Sequence, residues 1–304
     1  MTSALILAAG SVFGDDVLGP TKNVGKISAI RRIIMVFRQA GVDRTVVVTG
    51  FDAEALQRHC AHMGAVFLHN EEYESGDMLT SVKTGLGYLR DKCDRCFISP
   101  VDFPLFSAET VKKMRDVDEP VVIPMHNNKT GHPILLSGVL FGRVLEYHGS
   151  NGLEGALSGD GVERRFVDVP DEGVLAHVRS NADISDIIEG HSLRQIRPEV
   201  RLRLLGEKAF FGPGTMQLLS LTMETGSLKH AAFQMGVSYS KALQMIKDIE
   251  DQLGYAVLVT RQGGRKGGGS VVTEGGIEFM TTYEAFTSAC ERAVRELFDE
   301  HFGS

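Results

Sequence analysis

Near its start the chain reads Ala4-Leu5-Ile6-Leu7-Ala8-Ala9-Gly10, the strongest indication of fold in its first part. A short apolar run that ends in glycine is typical of a strand that is buried on both faces. Glycine in the turn after such a strand lets the backbone approach a ligand closely. The run is too short for a signal peptide and lacks a basic start, so a buried first strand is the favoured interpretation.

Strand and helix patterns alternate from this run to about residue 189. The alternation predicts βαβ units and a mostly parallel, three-layer α/β sheet of the Rossmann-like kind. Ligands of such folds bind outside the carboxyl ends of the strands. We therefore expect a ligand-binding domain over residues 1–190 and a second, smaller domain over 191–304. The predicted strands are Ala4–Ala8, Arg44–Thr49, Ala65–Leu68, Cys96–Ser99 and Val121–Pro124, and the predicted helices are Ser28–Ala40, Ala53–Met63, Met78–Leu89 and Ala108–Arg115.

The composition excludes several classes of protein. The 304 residues are 43% hydrophobic and 23% charged, with a formal net charge of −7, which excludes a disordered or fibrous chain and argues against a wholly basic nucleic-acid binder. No apolar run reaches the roughly 18–20 residues that cross a membrane, so no membrane partner is expected. Cys93 and Cys96 form a single C-x-x-C without the further ligands that zinc requires, and incidental thiols are favoured over a zinc or redox role. Four cysteines are too few for a disulfide scaffold, and we expect a reducing, cytoplasmic setting.

Three later segments carry residues that suit a nucleotide site. Lys22, in Gly19-Pro20-Thr21-Lys22, offers a point charge for a triphosphate. Asp102 follows a predicted strand, where a carboxylate is well placed to hold Mg²⁺ beside phosphates. Gly131-His132-Pro133 adds a further loop. Each side chain also has a structural alternative: a solvated lysine, a turn-capping aspartate and a packed loop histidine.

These segments, in this order, resemble the molybdenum-cofactor nucleotidylyltransferases, the MobA/MocA-like branch of the GT-A-like NTP transferase fold. The family begins L-A-A-G-x-S-x-R-M-G-x-x-K, which Leu7–Gly10, Gly19 and Lys22 match. Its N-P-x-(Y/F)-x-x-G-M-x-x-S-(V/L)-x-x-G-L segment is similar to residues 70–86. Asp102-Phe103-Pro104 resembles the D-x-P metal motif, and residues 131–133 resemble the G-H-P loop.

The resemblance implies an enzyme that joins CMP or GMP, taken from CTP or GTP, to molybdopterin with the help of Mg²⁺. It implies catalytic roles for Lys22 and Asp102, with Asp102 as the metal ligand. The implied substrate loop is Gly131, His132 and Pro133. The implied nucleotide-binding residues are Leu7, Ala8, Ala9, Gly10, Lys22, Gly76 and Ser81, although Ser81 has the alternative of only capping or packing a helix.

Two departures from the family pattern support a second hypothesis. The loop arginine is absent from residues 11–18, which carry Asp15 and Asp16 instead. Arg179 stands where the family's D-I-D-T-P-E-D has an aspartate that can join the metal. Loss of an arginine from a phosphoryl-transfer site removes charge stabilisation. The alternative to an enzyme is therefore a transcriptional regulator whose transferase-like domain senses a nucleotide or pterin.

The alternation of strand and helix patterns does not continue after residue 195. A half-exposed strand is predicted over Arg197–Leu204. Two helices joined by a short glycine turn then indicate a helix-turn-helix, and a glycine-rich basic hairpin indicates a wing. The predicted helices are Thr215–Glu224, Leu228–Met235, Tyr239–Leu253 and a long final Gly275–Phe302, and the wing strands are Ala256–Arg261 and Ser270–Thr273. The residues expected to contact DNA are Ser238, Tyr239, Ser240, Lys241, Gln244, Arg265 and Lys266.

The charge is distributed unevenly between the two parts. Residues 226–273 carry six Lys or Arg and three Asp or Glu, a local charge of +3, whereas the rest of the chain carries −10. Residues 197–286 resemble the winged helix-turn-helix domain of ModE-like molybdate regulators, related to LysR-type regulators, through Thr225-Gly226-Ser227 and Met235-Gly236-Val237-Ser238-Tyr239. The resemblance implies double-stranded DNA as a partner, and the apolar stripe of the final helix predicts a homodimer. The alternative is a protein-interaction module.

Overall fold

The computed structural model describes residues 1–10, 19–61, 63–74, 77–159, 161–178, 187–189, 198, 200–261 and 269–302. The chain forms two compact units, Met1–Arg194 and Gln195–Ser304. Among the described residues, no helix has the length and apolar character that a membrane crossing demands.

The first unit is an α/β structure built on one eight-stranded sheet, with a separate two-stranded pair beside it in sequence. Its strands are β1 (Thr2–Ala8), β2 (Asn23–Val24), β3 (Ile27–Ser28), β4 (Arg44–Thr49), β5 (Ala65–His69), β6 (Arg95–Pro100), β7 (Val121–His126), β8 (Lys129–Thr130), β9 (Ile134–Ser137) and β10 (Arg164–Asp168). Its helices are α1 (Ala29–Gln39), α2 (Ala53–His59), α3 (Met78–Leu89), α4 (Ala108–Arg115), α5 (Phe141–Glu146) and α6 (Gly152–Leu157). Short 3-10 turns cover Gly138–Leu140 and Glu172–Leu175.

The strand order of the main sheet is β10-β7-β9-β6-β1-β4-β5, and β8 pairs with β7. β1 pairs in parallel with β4 and β6, and β4 pairs in parallel with β5. β9 runs antiparallel between β6 and β7. The mostly parallel α/β sheet predicted from the alternation is confirmed, and the carboxyl ends of β1, β4 and β6 lie side by side at one edge.

Burial explains why the opening stretch forms the central strand. Ala4, Leu5 and Ile6 have no exposed surface, as expected for a strand covered on both faces. α1 covers one face through Ile30 and Ile33, which are fully buried. One predicted element is too long, because α2 ends at His59 rather than Met63: its last turns tighten to i→i+3 hydrogen bonds ahead of β5.

The second unit is helical, with two short hairpins. Its elements are β11 (Leu204–Leu205), β12 (Ala209–Phe211), α7 (Pro213–Thr225), α8 (Leu228–Gln234), α9 (Tyr239–Leu253), β13 (Leu258–Arg261), β14 (Gly269–Val272) and α10 (Glu274–Phe302). The strand predicted over Arg197–Leu204 is wrong in extent. Among the described residues of that region, 198 and 200–204, only Leu204 lies in a strand, because the pairing with β12 is short and its register shifts between Leu204 and Leu205.

Glycine and serine set the turns between α7, α8 and α9. Gly226 ends α7 with φ +66°, and Gly236 precedes α9 with φ +67°, a left-handed conformation that favours glycine. Ser227 and Ser238 cap α8 and α9 by accepting hydrogen bonds from the main-chain nitrogens of His230 and Lys241. The predicted helix-turn-helix is therefore present, and the β13–β14 hairpin follows it as a wing.

Candidate functional site

The turn after β1 meets the turns after β4 and β6 at one edge of the sheet. Leu7, Ala8 and Ala9 are buried, and Gly10 is exposed. The main-chain nitrogen of Val101 donates a 3.1 Å hydrogen bond to the Leu7 carbonyl, so the turns after β1 and β6 are neighbours. A Cβ at Gly50, after β4, would lie 2.5 Å from the Ala9 carbonyl oxygen. The turn Leu7–Gly10 is therefore closely packed against the backbone of the neighbouring turns, and Gly10 at its end is exposed.

Asp102 stands next to this loop, two residues beyond the end of β6. Its carboxylate oxygen Oδ2 is in direct contact with Nε2 of His177. The two side chains are 32% and 30% exposed, so both are accessible from solvent. The main-chain nitrogen of Val178 donates a 2.8 Å hydrogen bond to the Asp102 carbonyl oxygen, which fixes the two segments to each other.

The Gly131-His132-Pro133 loop reaches the same place through Phe103. The Phe103 ring lies 4.5 Å from the His132 ring and 4.9 Å from the His177 ring, measured between centroids. Nδ1 of His132 is buried and has no hydrogen-bond partner among the residues that the structure describes. Burial lowers the pKa of His132, since it disfavours the imidazolium; His177 acts in the same direction and Asp102 opposes it. Burial therefore favours the neutral form of the His132 imidazole.

Ser81 faces inward from α3. The side-chain nitrogen of Asn70 donates a 3.0 Å hydrogen bond to its hydroxyl, and both residues are buried, at 3% and 6% exposure. Asn70 Oδ1 accepts from the main-chain nitrogen of Glu72, and Asn70 N donates to the Thr49 carbonyl oxygen. Ser81 thus holds Asn70 in place, and Asn70 in turn joins the loop between β5 and α3 to the end of β4.

Lys22 lies in a tight turn before β2. Its main-chain nitrogen donates to the Gly19 carbonyl oxygen at 2.9 Å, and its side chain is exposed. The structure thus leaves the ammonium group available to a ligand. Gly76, Arg179 and the loop with Asp15 and Asp16 lie outside the described residues.

The side chains around Asp102 supply only some of the ligands that a divalent cation needs. A solvent-accessible carboxylate at a strand end is a suitable ligand for such an ion. The described residues contain no cluster of three or more His, Cys, Asp or Glu side chains that would hold a metal ion by themselves. Phosphate oxygens and water would have to complete the coordination, as is usual for ions that bind with nucleotides.

Three neighbours of the predicted residues were not among the predicted site residues. His177 lies in the segment similar to D-I-D-T-P-E-D, in the place of its first aspartate and two residues before Arg179. Phe103 is the middle residue of the D-x-P motif, and Asn70 is the first residue of the N-P-like segment. Each could have been found by position in a motif, but its contacts are set by tertiary structure.

The exposed surface of α9 carries the predicted DNA contacts. Ser238, Tyr239, Ser240, Lys241 and Gln244 are all exposed, as a recognition surface requires. The opposite face is buried through the side chains of Ala242, Ile246 and Ile249. Arg265 and Lys266, which the sequence predicts for the tip of the wing, lie outside the described residues.

A charged contact orients one of these side chains. Gln244 Nε2 donates a 2.9 Å hydrogen bond to Asp248 Oδ1, and Lys208 Nζ donates to the same oxygen at 2.7 Å. These two donors, with Lys208 the stronger, lower the pKa of the Asp248 carboxyl. Gln244 is therefore held along the exposed face of α9.

Both halves of the chain match known families. Residues 4–165, more than half of the chain, match the MobA-like NTP transferase domain. Residues 214–276 match the bacterial regulatory helix-turn-helix proteins of the lysR family.

Curated relatives match each half separately. The chain is 30% identical over 96 residues to the molybdenum cofactor cytidylyltransferase of Escherichia coli K12, covering 31% of this chain and 48% of that protein. It is 32% identical over 107 residues to the DNA-binding transcriptional dual regulator ModE of the same organism, covering 34% of this chain and 40% of that protein. The chain thus spans less than half the length of either relative.

A solved structure agrees with the fold of the first unit. A nucleotidyl transferase from Methanothermobacter superposes with a TM-score of 0.55 at 19% identity, covering 64% of this chain and 99% of that one. Fold, family match and motif order agree for the larger part of the sequence. The chain belongs to the MobA-like NTP transferase family and joins that domain to a helix-turn-helix domain of the lysR family.

Proposed function

We propose that the first unit, over residues 1–190, transfers CMP or GMP from CTP or GTP to a molybdopterin-type acceptor. The observation that carries this proposal is that the turn Leu7–Gly10 lies next to the turn that carries Asp102. The hydrogen bond from the Val101 nitrogen to the Leu7 carbonyl oxygen joins the two turns. A site that brings an open glycine next to a carboxylate at the strand ends can bind a triphosphate and its cation together. The name of the cytidylyltransferase relative supports the choice of acceptor.

In this reaction an acceptor phosphate oxygen attacks the α-phosphorus of the NTP. A new P–O bond forms, the bond between the α-phosphorus and the bridging oxygen breaks, and pyrophosphate leaves with the electron pair. Lys22 would stabilise the charge on the phosphates, and Asp102 would hold a divalent cation, expected from the sequence to be Mg²⁺. Such a cation neutralises phosphate charge when bound. Gly131, His132 and Pro133 would face the acceptor.

Pyrophosphate release tests the enzyme. The purified chain is incubated with CTP or GTP, a divalent cation and molybdopterin or its molybdenum form. We expect the wild-type protein to release pyrophosphate, and we expect Asp102→Asn to lower the rate of that release by about 100-fold or more. Asp168→Asn is a matched control, because Asp168 is an exposed residue of the edge strand β10 and the Lys113 ammonium donates to its main-chain oxygen, which the substitution retains. Equal release by wild type and Asp102→Asn would contradict the proposal.

The second hypothesis, a sensor, is favoured by one observation. His177 contacts Asp102 where the family motif has an aspartate, which changes the charge around the predicted metal ligand. A sensor would bind the nucleotide without releasing pyrophosphate, and nucleotide would change its affinity for DNA. The same incubation, followed by a DNA-binding titration, separates the two functions.

We further propose that the second unit, over residues 191–304, binds double-stranded DNA and regulates transcription, which would place the protein in the cytoplasm. The exposed set on α9, with a local charge of +3 over residues 226–273, supports this. We expect affinity to fall steeply with salt. Lys241→Ala combined with Arg265→Ala would reduce the slope of log K against log salt by about 1.8, roughly 0.9 per phosphate contact. Lys129→Ala, on β8 of the first unit, is the control; an unchanged slope in the double variant would contradict DNA binding through α9 and the wing.

A homodimer through α10 is the third part of the proposal. The first half of α10 packs on its own domain: Tyr283 is 5% exposed and donates a 2.9 Å hydrogen bond to the Leu202 carbonyl oxygen. Farther along the helix, Phe286 and Leu297 are 51% and 55% exposed. Sedimentation should show a dimer that Leu297→Glu dissociates and Glu300→Gln does not. A monomeric wild type at micromolar concentration would contradict this.

A further inference from the structure

A polar stripe runs along one face of α9 and meets the turn between β11 and β12. Gln244, Asp248 and Gln252 are spaced four residues apart, so their side chains lie on the same face of the helix. The turn lies close against this face, because a Cβ at Gly206 would lie 1.8 Å from Oε1 of Gln252. It also brings Lys208 to Asp248. The hairpin and the helix therefore hold a defined set of polar groups beside the predicted recognition surface.

The contact with Asp248 fixes which way the Gln244 amide points. Asp248 Oδ1 accepts hydrogen bonds from Lys208 Nζ at 2.7 Å and from Gln244 Nε2 at 2.9 Å. Both donors lower the pKa of the Asp248 carboxyl, which is therefore ionised at neutral pH and has no proton to donate. Only the amide nitrogen of Gln244 can face such an acceptor. Its carbonyl oxygen Oε1 and its second N–H therefore remain for an external partner.

These remaining groups of Gln244 match one DNA base. An acceptor oxygen and a donor N–H side by side are complementary to the major-groove edge of adenine, where N6 donates and N7 accepts. Guanine presents two acceptors on that edge and has no donor for Oε1. Gln244 is exposed and lies near the N-terminal end of α9, the part of a recognition helix that contacts base edges.

Lys208 offsets the charge of Asp248. On a surface that is predicted to face DNA, an unpaired carboxylate would repel the phosphates. The Lys208 side chain is 62% exposed and pairs with Asp248, whose side chain is 21% exposed. Because the pair has no net charge, Asp248 can orient Gln244 without adding net negative charge to this surface.

We propose that Gln244 reads an adenine base in the major groove and that Asp248, paired with Lys208, is the positioning residue that orients its amide. The inference rests on the proposed DNA binding by the second unit and deepens it by naming the base that one side chain reads. It requires neither nucleotidyl transfer nor a metal ion.

Selection of the full-length protein against a library of randomised duplex DNA, followed by sequencing, tests the inference. Wild type is expected to prefer adenine by about tenfold or more at a defined position of the selected sequence. Gln244→Ala is expected to lose this preference and to keep the preferences at other positions. Asp248→Ala is expected to weaken the same preference by about threefold or more. Asp251→Ala, which removes an exposed carboxylate from the same helix, is the matched control and should retain it.

A modified base gives a second measurement that does not depend on the folding of a variant. 7-Deazaadenine has carbon in place of N7, so it lacks the acceptor for the Gln244 amide. At the selected position it is expected to lower the affinity of wild type by about threefold or more. The affinity of Gln244→Ala should be the same for adenine and for 7-deazaadenine.

The outcomes separate this inference from DNA binding itself. Salt-dependent binding without an adenine preference that depends on Gln244 would overturn the inference and leave DNA binding standing. Equal affinity of wild type for adenine and 7-deazaadenine would also overturn it, and so would an adenine preference that Asp248→Ala retains in full. If the protein binds no duplex of the library, the proposed DNA binding is contradicted and the inference fails with it.

Discussion

The main-chain nitrogen of His132 donates a 2.9 Å hydrogen bond to the carbonyl oxygen of Val174. The bond attaches the loop before β9 to the 3-10 turn that leads to His177. Gly131 makes the approach possible, since a Cβ at that position would lie 2.3 Å from the same Val174 oxygen. The loop that the sequence assigns to the substrate is therefore held by a backbone contact that only glycine permits.

Gly131→Ala is expected to destabilise the first unit by about 1–3 kcal/mol, because a methyl group meets backbone atoms that cannot rotate away. Chemical denaturation of the full-length protein, followed by circular dichroism, measures the change. Gly142→Ala is the matched control: apart from its own helix backbone and its chain neighbours, no atom of the described residues lies within 4 Å of a Cβ at that position. It should leave stability unchanged or raise it by up to about 1 kcal/mol. Equal effects of the two substitutions would contradict this account of Gly131.

Ser81→Ala is expected to cost about 1–3 kcal/mol, because it leaves the buried side-chain nitrogen of Asn70 without its acceptor. A double-mutant cycle with Asn70→Ala, measured by urea denaturation, isolates the pair. We expect the double variant to be less destabilised than the sum of the two single variants. Strict additivity would mean that Ser81 and Asn70 do not stabilise each other.

The stability of the first unit is expected to fall as the pH drops below about 6.5, the usual pKa of histidine. Burial lowers the pKa of folded His132, so the unfolded chain takes up the proton first and acid favours unfolding. The effect levels off once the pH passes the folded pKa. Thermal denaturation between pH 8 and pH 5 measures it. His132→Gln should flatten the pH dependence, whereas His148→Gln should retain it; a dependence unchanged in His132→Gln would refute the assignment.

Ser238→Ala is expected to destabilise the second unit by about 1 kcal/mol and to weaken DNA binding. The hydroxyl accepts a 3.2 Å hydrogen bond from the Lys241 main-chain nitrogen and caps α9. Ser240→Ala is the control for stability, because Ser240 is exposed within the helix and caps nothing. A loss of stability in Ser240→Ala as large as in Ser238→Ala would contradict the capping role.

Local patterns predicted most of the framework. Arg44–Thr49, Met78–Leu89, Ala108–Arg115 and Tyr239–Leu253 have the predicted bounds, since β-branched runs, serine caps and glycine stops act over a few residues. The family match confirms the resemblance of the first unit to the MobA-like NTP transferases over residues 4–165.

The contacts of the candidate site were less predictable. Asp102 and His177 are 75 residues apart in sequence, and nothing in either local pattern indicates their contact. The antiparallel insertion of β9 between β6 and β7 brings the 131–133 loop to Phe103, and strand order is a tertiary property that periodicity does not encode. Sequence patterns therefore indicated the participating motifs, and the fold was needed to show which side chains meet.

The most direct test of nucleotidyl transfer is to incubate the protein with CTP or GTP that carries a radioactive α-phosphate, with molybdopterin or its molybdenum form as acceptor, and to follow the label. The label is expected to move into the acceptor, with one pyrophosphate released for each label transferred, and Asp102→Asn is expected to stop both. Nucleotide that binds but leaves its label in the NTP, or is only hydrolysed to free CMP or GMP, would contradict nucleotidyl transfer.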